Sequence, residues 1–235
     1  MNGIPSSTRK DLQRFYAALD ELKRRTGPAR RLADYKRADL GTTRGVYFFF
    51  QDGENRSGSG EGQRVVRIGT HGLKAVSKST LWSRLSQHRG SLKGGGNQRG
   101  SVFRRHVGRA LMGSGLTQTI SGWETGSSAS AAQRHAERPA EEEVSKVIRS
   151  MSLLYLRIDD EPGPGSERGY VERNAISLLT SPDAKAFDPP SHAWLGRHAP
   201  SPKIRTSGLW NVNHVHDAVE AGFLERFEIV VREAG

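Results

Sequence analysis

Two stretches rich in β-forming residues, separated by one polar segment, constrain the fold of this chain more than any other feature. The first, "RGVYFFFQ" (44–51), is almost continuously apolar, which is typical of a largely buried strand. The second, "RVVRIGT" (64–70), has the same character, and the Gly/Ser-rich residues 52–63 between them predict a loop. Two strands joined directly in this way predict a β-hairpin with a long loop.

Helical patterns surround this hairpin. In residues 6–26, apolar side chains recur at helical spacing, and Gly27 would end that helix. Further helices are predicted at 79–89, at 102–112, after Pro139 and at 166–179. A third strand is predicted at 151–159, a long ordered loop at 180–208, and a short helix and a terminal strand at the C-terminus.

This order of elements predicts an α+β fold. We expect a small, mainly antiparallel three-stranded sheet flanked by helices, with a helical N-terminal extension, insertions and a C-terminal strand. The expected segments are an N-terminal extension (1–43), a core (44–180) with an insertion around 113–145, and a C-terminal part (181–235) that packs on the core.

The balance of charge indicates a polyanionic partner. Thirty-six Lys and Arg against 25 Asp and Glu give a net charge of +11 and a pI near 10.3. Nucleic acid is the first candidate and an anionic membrane surface the second, whereas a merely soluble basic protein is the ordinary alternative. The absence of cysteine excludes disulfides, thiolate zinc sites and a cysteine nucleophile. Because no long apolar run is present, we expect a cytoplasmic protein that is not embedded in a membrane.

Arg84 and His88 are one turn apart on the predicted helix at 79–89, so they share a face. Two groups that can both carry positive charge are unfavourable neighbours unless an anion lies between them. A phosphate group would satisfy this requirement.

The tripeptides "GVY" (45–47) and "RIG" (67–69), followed by Arg84, His88 and Glu172, resemble the motifs of the GIY-YIG nuclease family. The resemblance covers roughly residues 44–180, with "GLWN" (208–211) as a further element. Each tripeptide alone is weak support. The order of hairpin, R-x-x-x-H helix, strand and glutamate-bearing helix makes the resemblance specific.

The resemblance implies a metal-dependent DNA endonuclease that leaves 5′-phosphate and 3′-hydroxyl ends. Tyr47 would be the general base, Arg84 and His88 would bind the scissile phosphate, and Glu172 would hold one Mg²⁺ or Mn²⁺ per active site. Phosphoryl transfer requires positioning of the reactants and neutralisation of the developing charge, which residues of these types can supply.

Departures from the family pattern identify further candidates for substrate binding. Arg67 replaces the second motif's usual tyrosine, so it contacts the phosphate or points outward. Thr70 stands where some members carry lysine, with His71, Lys74 and Lys78 further on as substitutes. Asn97 is a candidate phosphate contact, and Asn211 a candidate for the asparagine that often follows the metal-binding glutamate. These six candidates are Arg67, Thr70, His71, Lys74, Asn97 and Asn211.

The sequence is also compatible with other roles for these residues and for the whole chain. Arg84 alone could be a solvated helix arginine, His88 a partner of the helix dipole and Tyr47 a core residue. The whole chain could be a catalytically inactive nucleic-acid-binding module or a basic membrane-surface protein. A homodimer would suit a double-strand cutter. The C-terminal histidines are expected to lie on the surface rather than in a metal site; they are His192, His198, His214 and His216.

Overall fold

The N-terminal helix packs its apolar stripe into the protein as the sequence predicts. The computed structural model describes residues 6–234, and helix α1 spans Ser6–Thr26. Its buried side chains recur every three or four residues, so they form one face. These are Leu12, Phe15, Tyr16, Leu19 and Leu22. The helix ends at Gly27, whose φ of +98° is a conformation that glycine adopts without strain.

Within residues 6–234, the sheet has four antiparallel strands rather than the three expected. They lie in the order β1–β4–β2–β3, so β2 is flanked on both sides. The missed strand, β1, contains only two residues. The bounds are Arg30–Arg31 (β1), Gly45–Asn55 (β2), Gln63–Gly69 (β3) and Ser152–Arg157 (β4). The two hairpin strands extend further into the predicted loop than expected, which leaves 56–62 as the connection.

Strand β2 is apolar on both faces because two separate cores cover it. Val46, Phe48 and Phe50 belong to the core that contains α1. Tyr47 and Phe49 point to the opposite face and belong to the second core. The period-2 alternation of a strand therefore divides one continuous apolar run between two layers of helices.

The remaining helices cover the two faces of the sheet. Their bounds are Arg37–Leu40 (α2), Leu81–Arg89 (α3), Val102–Gly113 (α4), Ala131–Ser150 (α5), Glu167–Thr180 (α6), Pro182–Phe187 (α7), Pro202–Ser207 (α8) and Phe223–Glu233 (α9). Both cores mix residues from the three expected segments 1–43, 44–180 and 181–235. That division of the chain stays a prediction.

Helix α5 starts before Pro139, not after it. Ser130 caps its N-terminus by accepting a hydrogen bond from the Gln133 N–H (3.1 Å). Proline costs a helix one backbone hydrogen bond, but buried residues on both sides of Pro139 hold the segment in place. Tertiary packing therefore overrides the tendency of Pro139 to interrupt the helix.

The expected C-terminal strand is wrong, because α9 occupies that segment. Its buried residues, Phe223, Phe227, Val230 and Val231, follow helical spacing. Phe227 stacks on Phe15 of α1 with 5.2 Å between ring centroids. The short apolar run "FEIVV" is compatible with the spacing of a strand and with that of a helix. Packing against α1 selects the helix.

Two other C-terminal expectations also fail. No helix forms at 213–220, where the chain makes turns. The expected loop at 180–208 contains α7, α8 and a 3₁₀ helix, Leu195–His198. Among residues 6–234, no helix combines the length and the apolarity needed to cross a bilayer.

Candidate active site

The candidate catalytic residues come from three elements, β2, α3 and α6, and Arg67 of β3 joins them beside the end of the hairpin. Tyr47 in β2 and His88 in α3 are joined by a 2.8 Å contact between the phenol oxygen and Nε2. Glu172 in α6 is tied to the end of β3, since its Oε1 accepts a hydrogen bond from the Thr70 N–H (3.2 Å). Arg67 and Arg84 both lie close enough to Glu172 to lower its pKa. Three separate regions of the sequence, namely the hairpin, α3 and α6, therefore contribute to one cluster.

The two motif glycines allow close approaches that any larger residue would block. Gly69 lies directly opposite Tyr47 in the β2–β3 register. A Cβ atom at Gly69 would be 2.3 Å from the Tyr47 phenol oxygen. A Cβ atom at Gly45 would be 2.3 Å from the Leu156 carbonyl oxygen on β4. One glycine makes room for the phenol, and the other for the neighbouring strand.

His88 is fully buried between two hydroxyl groups. Its Nε2 contacts the Tyr47 phenol, and its Nδ1 lies 2.7 Å from the Ser101 Oγ. Burial lowers the pKa of His88 well below its ordinary value, and the nearby guanidinium groups of Arg67 and Arg84 lower it further. The imidazole is therefore neutral at neutral pH, so one ring nitrogen donates and the other accepts.

Helix α3 positions Arg84 and His88 through bonds at both of its ends. Thr80 caps the N-terminus, where its Oγ1 accepts a hydrogen bond from the Ser83 N–H (3.1 Å). At the C-terminus, the His88 carbonyl accepts a hydrogen bond from the buried Arg104 guanidinium (2.9 Å). Arg84 is half-buried and donates to the Gly100 carbonyl at 3.5 Å, which leaves its guanidinium partly free.

Arg67 points into the cluster rather than outward. Its guanidinium lies over the Phe103 ring, 4.6 Å from the centroid, and donates to the Trp210 carbonyl (2.9 Å). Burial lowers the pKa of Arg67, whereas the neighbouring Tyr47 and Glu172 oppose that change. A guanidinium group stays charged even when its pKa is lowered, so the site holds two cations, Arg67 and Arg84.

Glu172 is the carboxylate available to a metal ion in this cluster. Burial raises its pKa, whereas Arg67, His214 and the Thr70 N–H act in the opposite direction. Within residues 6–234, no group of three or more His, Asp or Glu side chains could hold a metal ion. A single carboxylate fits Mg²⁺ nonetheless, because this ion retains most of its water ligands.

Three of the candidate substrate-binding residues are already bonded to the backbone around the site. The Thr70 hydroxyl donates to the Gly45 carbonyl (2.8 Å), and His71 Nδ1 lies 3.1 Å from the Ser79 carbonyl. Asn211 pairs with the Ile68 backbone, donating to its carbonyl (2.8 Å) and accepting from its N–H (3.1 Å). These bonds fix the three side chains to the backbone of β2, of β3 and of the segment that precedes α3.

The last two candidates lie on loops. Lys74 is exposed on the segment between β3 and α3. Asn97 accepts a hydrogen bond from the Arg99 N–H (3.0 Å) and caps a 3₁₀ helix, Gln98–Gly100. The cap gives Asn97 a structural role, whereas Lys74 is open to solvent. Binding of substrate by each of the six candidates stays a prediction.

Two groups that the sequence motifs do not identify, His214 and Ser101, also lie at the site. His214 lies close enough to Glu172 to lower its pKa, and its φ of +63° is unusual for a residue other than glycine. Ser101 contacts His88, and its Oγ also accepts a hydrogen bond from the Arg104 N–H (3.2 Å). The "NHVH" string draws attention to His214, but nothing local in the sequence identifies Ser101.

The buried histidines predict a loss of stability in mild acid. Burial lowers the pKa of both His71 and His106 to about 4, whereas an unfolded histidine titrates near ~6.5. Below that value the unfolded chain binds protons that the folded chain does not bind until the pH nears 4. The unfolding free energy should therefore fall as the pH falls from 7 to 5.

Urea unfolding at pH 7 and pH 5 measures this loss. The His106→Gln variant should reduce it by on the order of 1 kcal/mol. The control, His135→Gln, changes an exposed histidine and should leave the loss as in the wild type. An equal loss in the wild type and in His106→Gln would contradict the prediction.

Comparison with known proteins agrees with this geometry. The family model for the GIY-YIG domain matches residues 6–235, which is nearly the whole chain. No curated protein and no solved structure gives a significant match. Members of this family are in general endonucleases that use divalent metal ions, with DNA as the substrate. From the match over residues 6–235 we conclude that this protein belongs to the GIY-YIG family.

Proposed function

We propose that the protein is a metal-dependent DNA endonuclease that hydrolyses phosphodiester bonds to 5′-phosphate and 3′-hydroxyl ends. The observation that most supports this proposal is the convergence of Tyr47, Arg84, His88 and Glu172 from separate segments into one cluster. The net charge of +11 suits a polyanionic substrate. A homodimer stays a prediction.

Arg84 is the residue that we assign to the scissile phosphate. Its guanidinium is half-buried, so it combines access to solvent with partial desolvation, which strengthens its attraction for an anion. A planar guanidinium can bind two phosphate oxygens at once. Arg67 adds a second positive charge. A bound phosphate would relieve the electrostatic repulsion between Arg67 and Arg84. We therefore assign the phosphate to Arg84 and Arg67 rather than to Arg84 and His88 as the sequence predicts, because His88 has no exposed surface and both of its ring nitrogens are engaged by Tyr47 and Ser101.

Tyr47 and His88 form the pair that we assign to proton transfer. With Nδ1 protonated and donating to Ser101, the His88 Nε2 accepts a hydrogen bond from the Tyr47 phenol and orients the phenol oxygen. After Tyr47 has released its own proton to solvent, the phenolate takes a proton from the attacking water, and the positive charge of Arg67 stabilises the phenolate. The low pKa of His88 keeps its imidazole neutral, so it acts as a hydrogen-bond acceptor and does not hold the proton itself.

Glu172 is the residue that we assign to the metal ion, Mg²⁺ or Mn²⁺. When bound, such an ion polarises a phosphate oxygen and stabilises the charge on the leaving oxygen. The Thr70 N–H fixes one carboxylate oxygen of Glu172 and so orients the group. The side chain is half-buried, so it remains accessible to a hydrated ion.

One observation favours a second candidate function, a nucleic-acid-binding module without catalytic activity. Tyr47 and His88 have no exposed surface, so the proposed base does not face solvent. In addition, Arg67 replaces the second tyrosine of the family pattern. A binding module would still use the basic surface but would not require access to Tyr47.

Incubation of the protein with supercoiled plasmid and Mg²⁺ or Mn²⁺ separates the two candidates. An endonuclease converts the plasmid to nicked and linear forms, and sequencing of the cut ends should give 5′-phosphates. A matched reaction with excess EDTA should leave the plasmid intact. A module that only binds would retard the plasmid in a gel without relaxing it, which would contradict the endonuclease proposal.

A further inference from the structure

The segment between β3 and α3 carries an exposed valine in a conformation that valine rarely adopts. The Ser77 N–H donates to the Lys74 carbonyl (3.1 Å), which closes a turn with Ala75 and Val76 at its centre. Val76 has a φ of +60°, and its surface is 93% exposed. Glycine or asparagine is the usual residue at such a position, because a branched Cβ clashes with the backbone.

Neither packing nor turn geometry explains this valine. Val76 buries almost none of its surface, so it adds nothing to a core. Its positive φ destabilises the turn relative to glycine. Strained backbone of this kind clusters at functional sites, so its occurrence at an exposed valine points to a contact with a partner outside the chain.

Both ends of this segment are anchored to the candidate active site. The His71 carbonyl accepts a hydrogen bond from the buried Arg168 guanidinium (2.6 Å). The segment starts beside Thr70, which binds Glu172, and it ends at the Thr80 cap of the helix that carries Arg84. The segment that carries Val76 therefore connects two elements that contribute residues to the cluster, β3 and α3.

The charges that flank Val76 indicate the nature of the partner. Lys74 and Lys78 are both exposed, one on each side of the turn. A single apolar side chain between two lysines suits duplex DNA, whose phosphates lie on either side of the base edges. Proteins that bend DNA insert an apolar side chain between bases in this way, from the minor groove.

We propose that Val76 is a wedge that enters the DNA minor groove beside the scissile phosphate, while Lys74 and Lys78 bind the flanking phosphates. This inference rests on the proposed function only in taking DNA as the partner. It adds a contact to the bases that none of the cluster residues provides.

Binding of a fluorescein-labelled duplex in excess EDTA tests the wedge without any need for cleavage. Val76→Gly should bind about tenfold more weakly than the wild type, since the apolar contact is lost. The salt dependence of DNA binding by Val76→Gly should equal that of the wild type. Lys74→Ala and Lys78→Ala should each lower the slope of log binding constant against log salt concentration by about one. Because glycine relieves the strain, the melting temperature of Val76→Gly should equal or exceed that of the wild type.

The matched control is Leu116→Gly, which removes another exposed apolar residue from a loop. It should leave the DNA affinity as in the wild type. Equal affinities of the wild type and Val76→Gly, or an equal loss in Leu116→Gly, would overturn the wedge. Weak duplex binding by Val76→Gly, compared with the wild type, would support the wedge even if the plasmid assay showed no cleavage. The wedge and the endonuclease activity are therefore tested independently.

Discussion

Glu172→Gln should lower the rate of plasmid cleavage by on the order of a thousandfold and leave the DNA affinity nearly unchanged. The amide oxygen of glutamine can still accept the hydrogen bond from the Thr70 N–H, so the fold around the site is kept. Glutamine lacks the negative charge that a divalent cation requires. Cleavage in Mg²⁺ and duplex binding in EDTA are the two measurements.

Glu167→Gln provides the matched control on the same helix. Glu167 lies in the first turn of α6 and pairs with Arg226 at the surface, where an ion pair contributes little. This variant should cleave as the wild type does. Full cleavage by Glu172→Gln in the presence of excess chelator would show that the glutamate does not serve a metal ion.

Glu141→Ala should lower the free energy of unfolding by about 3–5 kcal/mol. The Glu141 carboxylate accepts hydrogen bonds from the Arg104 Nε (2.9 Å) and from the Gln98 N–H. Arg104 has no exposed surface, so removal of its partner leaves a charge buried without compensation. The same guanidinium holds the His88 carbonyl, and we therefore expect the variant to lose activity as well. Urea unfolding at pH 7 gives the stability.

Two further variants separate charge burial from loss of packing. Glu143→Ala removes an exposed carboxylate of the same helix, paired with Lys146, and should change the stability by less than about 0.5 kcal/mol. The double variant Arg104→Met/Glu141→Leu removes both charges and should be more stable than Glu141→Ala alone. Similar losses in Glu141→Ala and Glu143→Ala would contradict the account of the buried pair.

The sequence predicts those elements whose signals are local. The stripe of α1 and its glycine stop both depend on residues within a few positions of one another. The hairpin is predicted for the same reason, because two β-rich runs flank one polar loop. The family motifs add the candidate residues Tyr47, Arg84, His88 and Glu172, and the family match confirms the family itself.

The sequence does not predict an element correctly where its local pattern fits a strand and a helix equally well, or where the element is too short to produce a pattern. The run "FEIVV" fits a strand or a helix, and only the stack of Phe227 on Phe15 decides between them. Strand β1 has two residues, too few to produce a pattern. Pro139 is a strong local stop signal, but buried contacts on both sides of it continue α5.

What the sequence by itself determined is the order of the main elements and the family to which the chain belongs, because helix periodicity, strand-forming runs and motif spacing are properties of neighbouring residues. The tertiary structure alone decided which way Arg67 points, that Tyr47 and His88 are enclosed, and that Ser101 and His214 join the site. Each of these depends on the approach of residues that are far apart in the chain. Burial and the electrostatic interactions that follow from it exist only after that approach has taken place.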